Sequence, residues 1–215
     1  TWISPDGDGR QELARLTAVA SAGAVRWSVS VADAAGTPVR TFSGEGGAID
    51  ATWDGRDAAG ALVAEGTYLA SASGADEAGN AAQTAVQIGV DVRDPQGTVT
   101  ASPNALASDA TSNAFSPNGD GWQDAATIRW TLDEAAAGTI SVRSPTATIW
   151  TARIPSSVAG SVAWNGRDRS GRAVAEGTYT VVATVADAAG NPVTMMAEVR
   201  VDRTVGFLRA SPGIF

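Results

Sequence analysis

The chain repeats itself. ATWDGRDAAGALVAEGTY at 51–68 returns as VAWNGRDRSGRAVAEGTY at 162–179, ADEAGN at 75–80 as ADAAGN at 186–191, and VDVRD at 90–94 as VDRT at 201–204, all at an offset of 111 residues. SPDGDG at 4–9 and SPNGDG at 116–121 pair at 112, so a single-residue gap falls between the loop and the rest. A solenoid unit runs to roughly 20–50 residues, whereas a β-sandwich domain takes about 100. The period therefore divides the chain into repeat 1 at 1–95, repeat 2 at 96–204 and a tail at 205–215.

Within each repeat the apolar residues alternate. Leu16, Ala18 and Ala20 correspond to Ile128, Trp130 and Leu132, and Trp27, Val29 and Val31 to a run containing Ile140 and Val142. Period two means strands with one buried face. The Ala-rich pieces VADAAG and LDEAAAG are too short for stable helices and read as turns. Short strands separated by Gly and Asp predict an all-β fold: two tandem Ig-like or fibronectin-III-like β-sandwiches of six or seven strands each.

Composition narrows the chemistry. The 215 residues contain no Cys and no His, which rules out disulfides, thiolate or imidazole metal sites and His-dependent triads. All 15 cationic residues are Arg against 23 acids, and none of the Arg cluster into a basic face, so nucleic acid is not an expected partner. No apolar run approaches the roughly 20 residues of a membrane helix. The opening TWISPDGDG begins in the middle of a motif, as expected for a piece of a longer protein.

The twin loops hold the candidate ligands: Asp6, Asp8 and Glu12 in the first, Asn118, Asp120 and Asp124 in the second. With His and Cys absent, the metal for such a site is a hard cation bound by oxygen, and calcium takes six to eight oxygens at about 2.3–2.6 Å. Three side chains and the carbonyl of residue 10 or 122 leave ligands to be found, for which Asp76 and Asn80, or Asp187 and Asn191, are candidates. Alternatively the loops are Asx turns, in which Asp6 and Asn118 accept backbone N–H groups and the glycines supply positive φ. A phosphate cradle is disfavoured by the carboxylates.

FSPNGDGWQD at 115–124, followed by WNGRDRSGRAVAEGTY and DAAGN, resembles the Ig-like domain of flagellar hook-capping proteins, a domain also found in tandem in bacterial secreted and surface proteins. The resemblance extends over both repeats. In the first, Asp6 and Glu12 replace the Asn and the final Asp, which keeps every oxygen ligand. It implies a sandwich without catalytic activity, used as a spacer, an assembly module or an accessory domain.

Other residues fit that scheme. Trp53 and Trp164 are expected to plug the cores with the indole N–H satisfied at a strand edge. Tyr68 and Tyr179 resemble a tyrosine corner. Asp57 and Asp168 open tight turns closed by Gly60 and Gly171. Asp54 with Asp57 would be the carboxylate pair of a glycosidase, but a site duplicated in both repeats argues against an enzyme. Trp2, Trp122 and Trp150 do not recur between repeats; they read as partly buried packing or, if exposed, as the sugar-stacking face of a carbohydrate- or cell-wall-binding accessory module. TVTASP at 98–103 reads as the leading strand of repeat 2, and FLRASP at 207–212 is its counterpart. Repeat 1 shows no such strand, so the tail is a candidate to pair with repeat 1 of another copy. The function expected is that of a structural spacer or assembly module in a secreted or surface-attached bacterial protein. Its partners would be neighbouring domains of the same polypeptide, and calcium its only expected cofactor.

Overall fold

The computed structural model describes residues 1–19, 25–103 and 114–204. The tail at 205–215, with its expected strand, lies outside the described residues. The chain forms two compact units, Thr1–Asp94 with Ala188–Asn191, and Pro95–Asp187 with Pro192–Phe215. Every regular element among the described residues is a strand.

In the first unit β1 (Trp2–Ile3), β7 (Ala81–Val90), β6 (Gly66–Asp76), β3 (Val25–Ala32) and β4 (Pro38–Glu45) form a sheet in the order β1-β7-β6-β3-β4, and β2 (Ala14–Val19) pairs with β5 (Ala48–Trp53) in a second. The alternation read from the sequence sets the faces. Leu16 and Trp53 point inward from the small sheet, and Val29, Val31, Ala70 and Ile88 from the large one, enclosing a single core. Each large aliphatic side chain buried there contributes about 1.5–3 kcal/mol.

The described residues of the second unit form six strands: β8 (Gly97–Pro103), β9 (Ala114–Phe115), β10 (Ala126–Arg143), β11 (Thr148–Trp164), β12 (Gly177–Ala186) and β13 (Pro192–Val201), in the order β11-β10-β12-β13-β9 with β8 on β10. Here β10 does the work of β2 and β3 together. Its first part, Ala126–Leu132, pairs with β8 on one side and, through Thr131, with the end of β11 on the other, while Ala137–Arg143 pairs with β12. The register matches that of the first unit, with Ala126 opposite Trp164 where Ala14 is opposite Trp53. LDEAAAG at 132–138, expected as a turn, instead runs through β10. The pairing with β11 shifts between Thr131 and Ala136 and again before Gly138, so the strand absorbs the irregular stretch as a bulge.

The Trp and Tyr of each repeat do what their spacing implies. Trp53 and Trp164 are fully buried, and their Nε1–H groups donate to the carbonyls of Arg56 and Arg167, each at 2.9 Å. Tyr68 and Tyr179 meet these rings edge-on at centroid distances of 5.2 and 5.4 Å. Their hydroxyls donate to the carbonyls of Ala64 and Ala175, four residues upstream, which is tyrosine-corner geometry.

Candidate functional site

The two acidic loops are built alike. Each is closed at its base by a backbone bond, Ser4 N–H to the Gln11 carbonyl and Ser116 N–H to the Gln123 carbonyl, both 2.9 Å. Two Asx turns follow one another around the tip. Asp6 Oδ1 accepts from Asp8 N–H and Asp8 Oδ1 from Arg10 N–H; in the second loop Asn118 Oδ1 accepts from Asp120 N–H and Asp120 Oδ1 from Trp122 N–H. These turns force the left-handed backbone at Gly7, Gly9, Gly119 and Gly121, where φ lies between 86° and 92°.

The loops differ in how much of each carboxylate is used up locally. In the first, Glu12 Oε1 accepts from Gly9 N–H, and Asp6, Asp8 and Glu12 bring carboxylate oxygens within 4.8 Å of one another. Arg10 Nε stands 4.0 Å from Asp8 Oδ2, with the Arg10 side chain mostly in water and that of Asp8 35% exposed. In the second, Asp124 accepts with both oxygens, from Gly119 N–H at 2.7 Å and Gly121 N–H at 2.8 Å. Asn118 Nδ2 donates to Asp120 Oδ2 at 2.9 Å, and this bond, aided by the one from Trp122 N–H, holds the Asp120 carboxyl below its usual range. One loop therefore gathers three like charges, while the other satisfies its acids internally.

The supplementary ligands considered from sequence have other occupations. Asp76 accepts from both the backbone and the side-chain N–H of Asn80 at 2.8 Å, closing its own turn, and its carboxyl is held low by those bonds. Asn191, which groups with the first unit, is fully buried there; its Oδ1 accepts from Ser4 Oγ at 2.5 Å and its Nδ2 donates to the Asp91 carbonyl. Asp57 Oδ1 accepts from Ala59 and Ala61 N–H, and Asp54 Oδ1 from Arg56 N–H, so this pair shapes a turn.

Sequence reasoning missed one contact that joins the motifs of each repeat. Gly55 and Gly166, in WDGRD and WNGRD, have φ of 69°, and an added Cβ would lie 2.6 Å from Pro5 Cγ and 2.7 Å from Pro117 Cγ. The proline of the acidic loop thus lies directly on the glycine of the Trp loop. The recurrence of SP and WxG in both repeats was the available signal, although nothing in a sequence separated by 50 residues says that the two touch. Gln11 and Gln123, the non-Gly residues with positive φ among the described residues, at 44° and 52°, are a second recurrent pair that sequence reasoning passed over.

Residues 4–78 match the family described as FlgD Ig-like domain, so the first unit is similar to that domain over this stretch. Among solved structures, FlgD from Xanthomonas campestris, described as a hook-capping protein, is 28% identical over 40% of this chain and 59% of its own, with a TM-score of 0.32. A calcium-stabilised adhesin of an Antarctic bacterium is 22% identical over 88% of this chain and 44% of its own, at a TM-score of 0.40. The fibronectin(III)-like modules of Clostridium thermocellum CbhA are 12% identical over 98% and 94%, at 0.41. No curated protein matches the chain.

Proposed function

We propose that the chain is a non-catalytic structural module, a spacer or assembly piece of a larger secreted or surface-attached bacterial protein, with repeats 1–95 and 96–204 as its units. Calcium at the acidic loops stiffens it. The observation that carries the calcium reading is the set of carboxylate oxygens of Asp6, Asp8 and Glu12 within 4.8 Å of one another, held by backbone bonds that leave each acid a second oxygen. A hard divalent cation offsets their mutual repulsion and takes the oxygen ligands present. Asn118, Asp120 and Asp124 form the equivalent site in the second unit, and it binds more weakly because Asn118 and Asp124 already serve the loop's own hydrogen bonds.

The match to the FlgD Ig-like domain over residues 4–78 supports the structural role, as does the duplication of one framework in both units. Asp54 and Asp57 each accept backbone N–H groups through one oxygen and shape a turn that recurs in both units, as a structural role requires. Neighbouring domains of the same polypeptide are the partners of such a module. A polysaccharide platform is less well supported, because the ring contacts among the described residues are core pairs rather than a surface cluster.

Calorimetric titration of calcium into EDTA-stripped protein tests the reading. One dominant site is expected, abolished by Asp8→Ala and little changed by Asp120→Ala. Absence of binding heat at millimolar calcium, with no change in a competing chelator's signal, would overturn it.

A further inference from the structure

The Trp loop recurs as WDGRD at 53–57 and WNGRD at 164–168, but its surroundings differ between the units. A backbone bond just after each motif, Ala58 N–H to the Val39 carbonyl at 2.9 Å and Arg169 N–H to the Ile149 carbonyl at 3.2 Å, fixes which residues correspond. In the first unit Arg40 follows Val39, and its Nη1 donates to the Asp57 carbonyl at 3.0 Å. In the second, Trp150 follows Ile149 and takes that place. Asp54 is likewise replaced by Asn165, Ala58 by Arg169 and Val92 by Arg203.

The exchanged residues line a groove in the second unit. Trp150, Thr151, Asp168 and Arg169 border a cavity of about 450 Å³, and Pro117, Asp124 and Arg203 a second of about 180 Å³. The two adjoin, because Asn165 and Arg167 line both. Trp150 is half-buried, packed partly against the core beside the cavity it lines.

This groove is cationic, although the chain as a whole carries a net charge of −8. Arg167, Arg169 and Arg203 make no ion pair among the described residues. Arg167 and Arg169 are exposed; Arg167 Nη1 donates to the Gly171 carbonyl and Arg169 Nη2 to Thr151 Oγ1. Arg203 is set deeper. Its Nε and Nη1 donate to the carbonyls of Pro117 and Val174, and its Nη2 is buried without a partner, so its charge stands uncompensated beside the smaller cavity. The acids at the groove are engaged elsewhere: Asp124 accepts from Gly119 and Gly121 N–H, and Asp168 pairs with Arg172 at 3.0 Å.

We propose that this groove binds an acidic polysaccharide, a chain of uronic acid residues. A bare anion needs only the guanidinium groups. An indole beside them, with the Asn165 amide and the Thr151 hydroxyl, matches a pyranose ring that carries a carboxylate: an apolar ring face for Trp150, hydroxyls for the neutral polar groups, and a planar anion for the guanidinium fork. Arginines in both cavities match charges repeated along a chain. An acidic peptide supplies the charges without the ring. The chemistry is that of a polar groove with a single indole among three guanidinium groups, not that of an aromatic platform, and it goes beyond the structural role without drawing on the calcium reading.

Calorimetric titration of the full chain with a galacturonic acid tetramer, at two temperatures, tests the proposal. EDTA is present throughout, so that calcium bridging contributes nothing and the result is independent of metal binding at the acidic loops. Wild type is expected to bind the tetramer, and Arg167→Ala and Arg169→Ala each to weaken it by about tenfold, as loss of a charge-assisted hydrogen bond does. Arg56→Ala makes the same change in the first unit's motif and is expected to leave the affinity unchanged, which controls for lost positive charge. Trp150→Leu is expected to weaken binding as well; if that variant unfolds, the exposed arginines still carry the test. A neutral galactose tetramer and tetraglutamate are each expected to bind at least about tenfold more weakly than the acidic sugar. No binding at millimolar galacturonate tetramer, equal affinity for either comparison ligand, or unchanged affinity in both arginine variants would each overturn the proposal.

Discussion

The two units carry the same framework finished in different ways. The second has a strand on β10 and an acidic loop whose acids are satisfied by its own N–H groups. The first has a loop that concentrates three carboxylates. Duplication preserved the Trp plug, the Tyr corner and the proline-on-glycine contact, which lie in or against the core. The loop tip is where the copies diverged.

That comparison is broken most severely at the shared core. Trp53→Ala and Trp164→Ala should each cost about 3–5 kcal/mol, confined to the unit that carries the change, as hydrogen exchange resolved by unit would read. Trp164 is predicted to be the costlier because it meets both Phe115 and Tyr179 edge-on, whereas the recorded ring contact of Trp53 is with Tyr68. Equal protection loss across both units would deny that each has its own core.

Next in size are Gly55→Ala and Gly166→Ala. A left-handed non-Gly residue costs on the order of 1–3 kcal/mol, and the new methyl also displaces Pro5 or Pro117. Denaturant midpoints should fall similarly for both, because the contact is the same in both units. A fall in only one would show that the proline docks in that unit alone.

A smaller effect separates the units by pH. Burial raises the pKa of Tyr68 and Tyr179 above the ordinary 10.0; nearby Asp33 raises Tyr68 further, whereas Arg203 opposes the shift at Tyr179. Since the folded state holds the phenol proton more tightly, this contribution is complete below the unfolded pKa of about 10 and is lost as pH rises through the folded value. Alkaline titration should therefore weaken the first unit more than the second, and Tyr68→Phe should reverse that order, because Tyr179 still titrates in the second unit. Phe at either position also forfeits a hydrogen bond worth about 1 kcal/mol.

Much of this was legible in the sequence for a physical reason. Period-two apolar residues place Leu16, Val29 and Ile128 on inner faces, and the 111-residue offset transfers each inference from one repeat to the other. LDEAAAG misled because its Ala and Glu disfavour strand, yet pairing with β11 and β12 on either side overrides that preference. The inequality of the two loops was not legible. Asp6 and Asn118 look interchangeable as oxygen donors, and only their geometry shows that the Asn118 amide nitrogen turns back onto Asp120.

The most direct test of a calcium-stiffened module is thermal unfolding in excess EDTA against millimolar calcium, on wild type and Asp8→Ala. At 100 times its dissociation constant, calcium should add about 2.7 kcal/mol to the folded state. The account predicts a higher melting temperature for wild type, with hydrogen-exchange protection gained mainly in the first unit, and no response from Asp8→Ala. Superimposable wild-type curves would contradict it and leave both loops as self-contained turns.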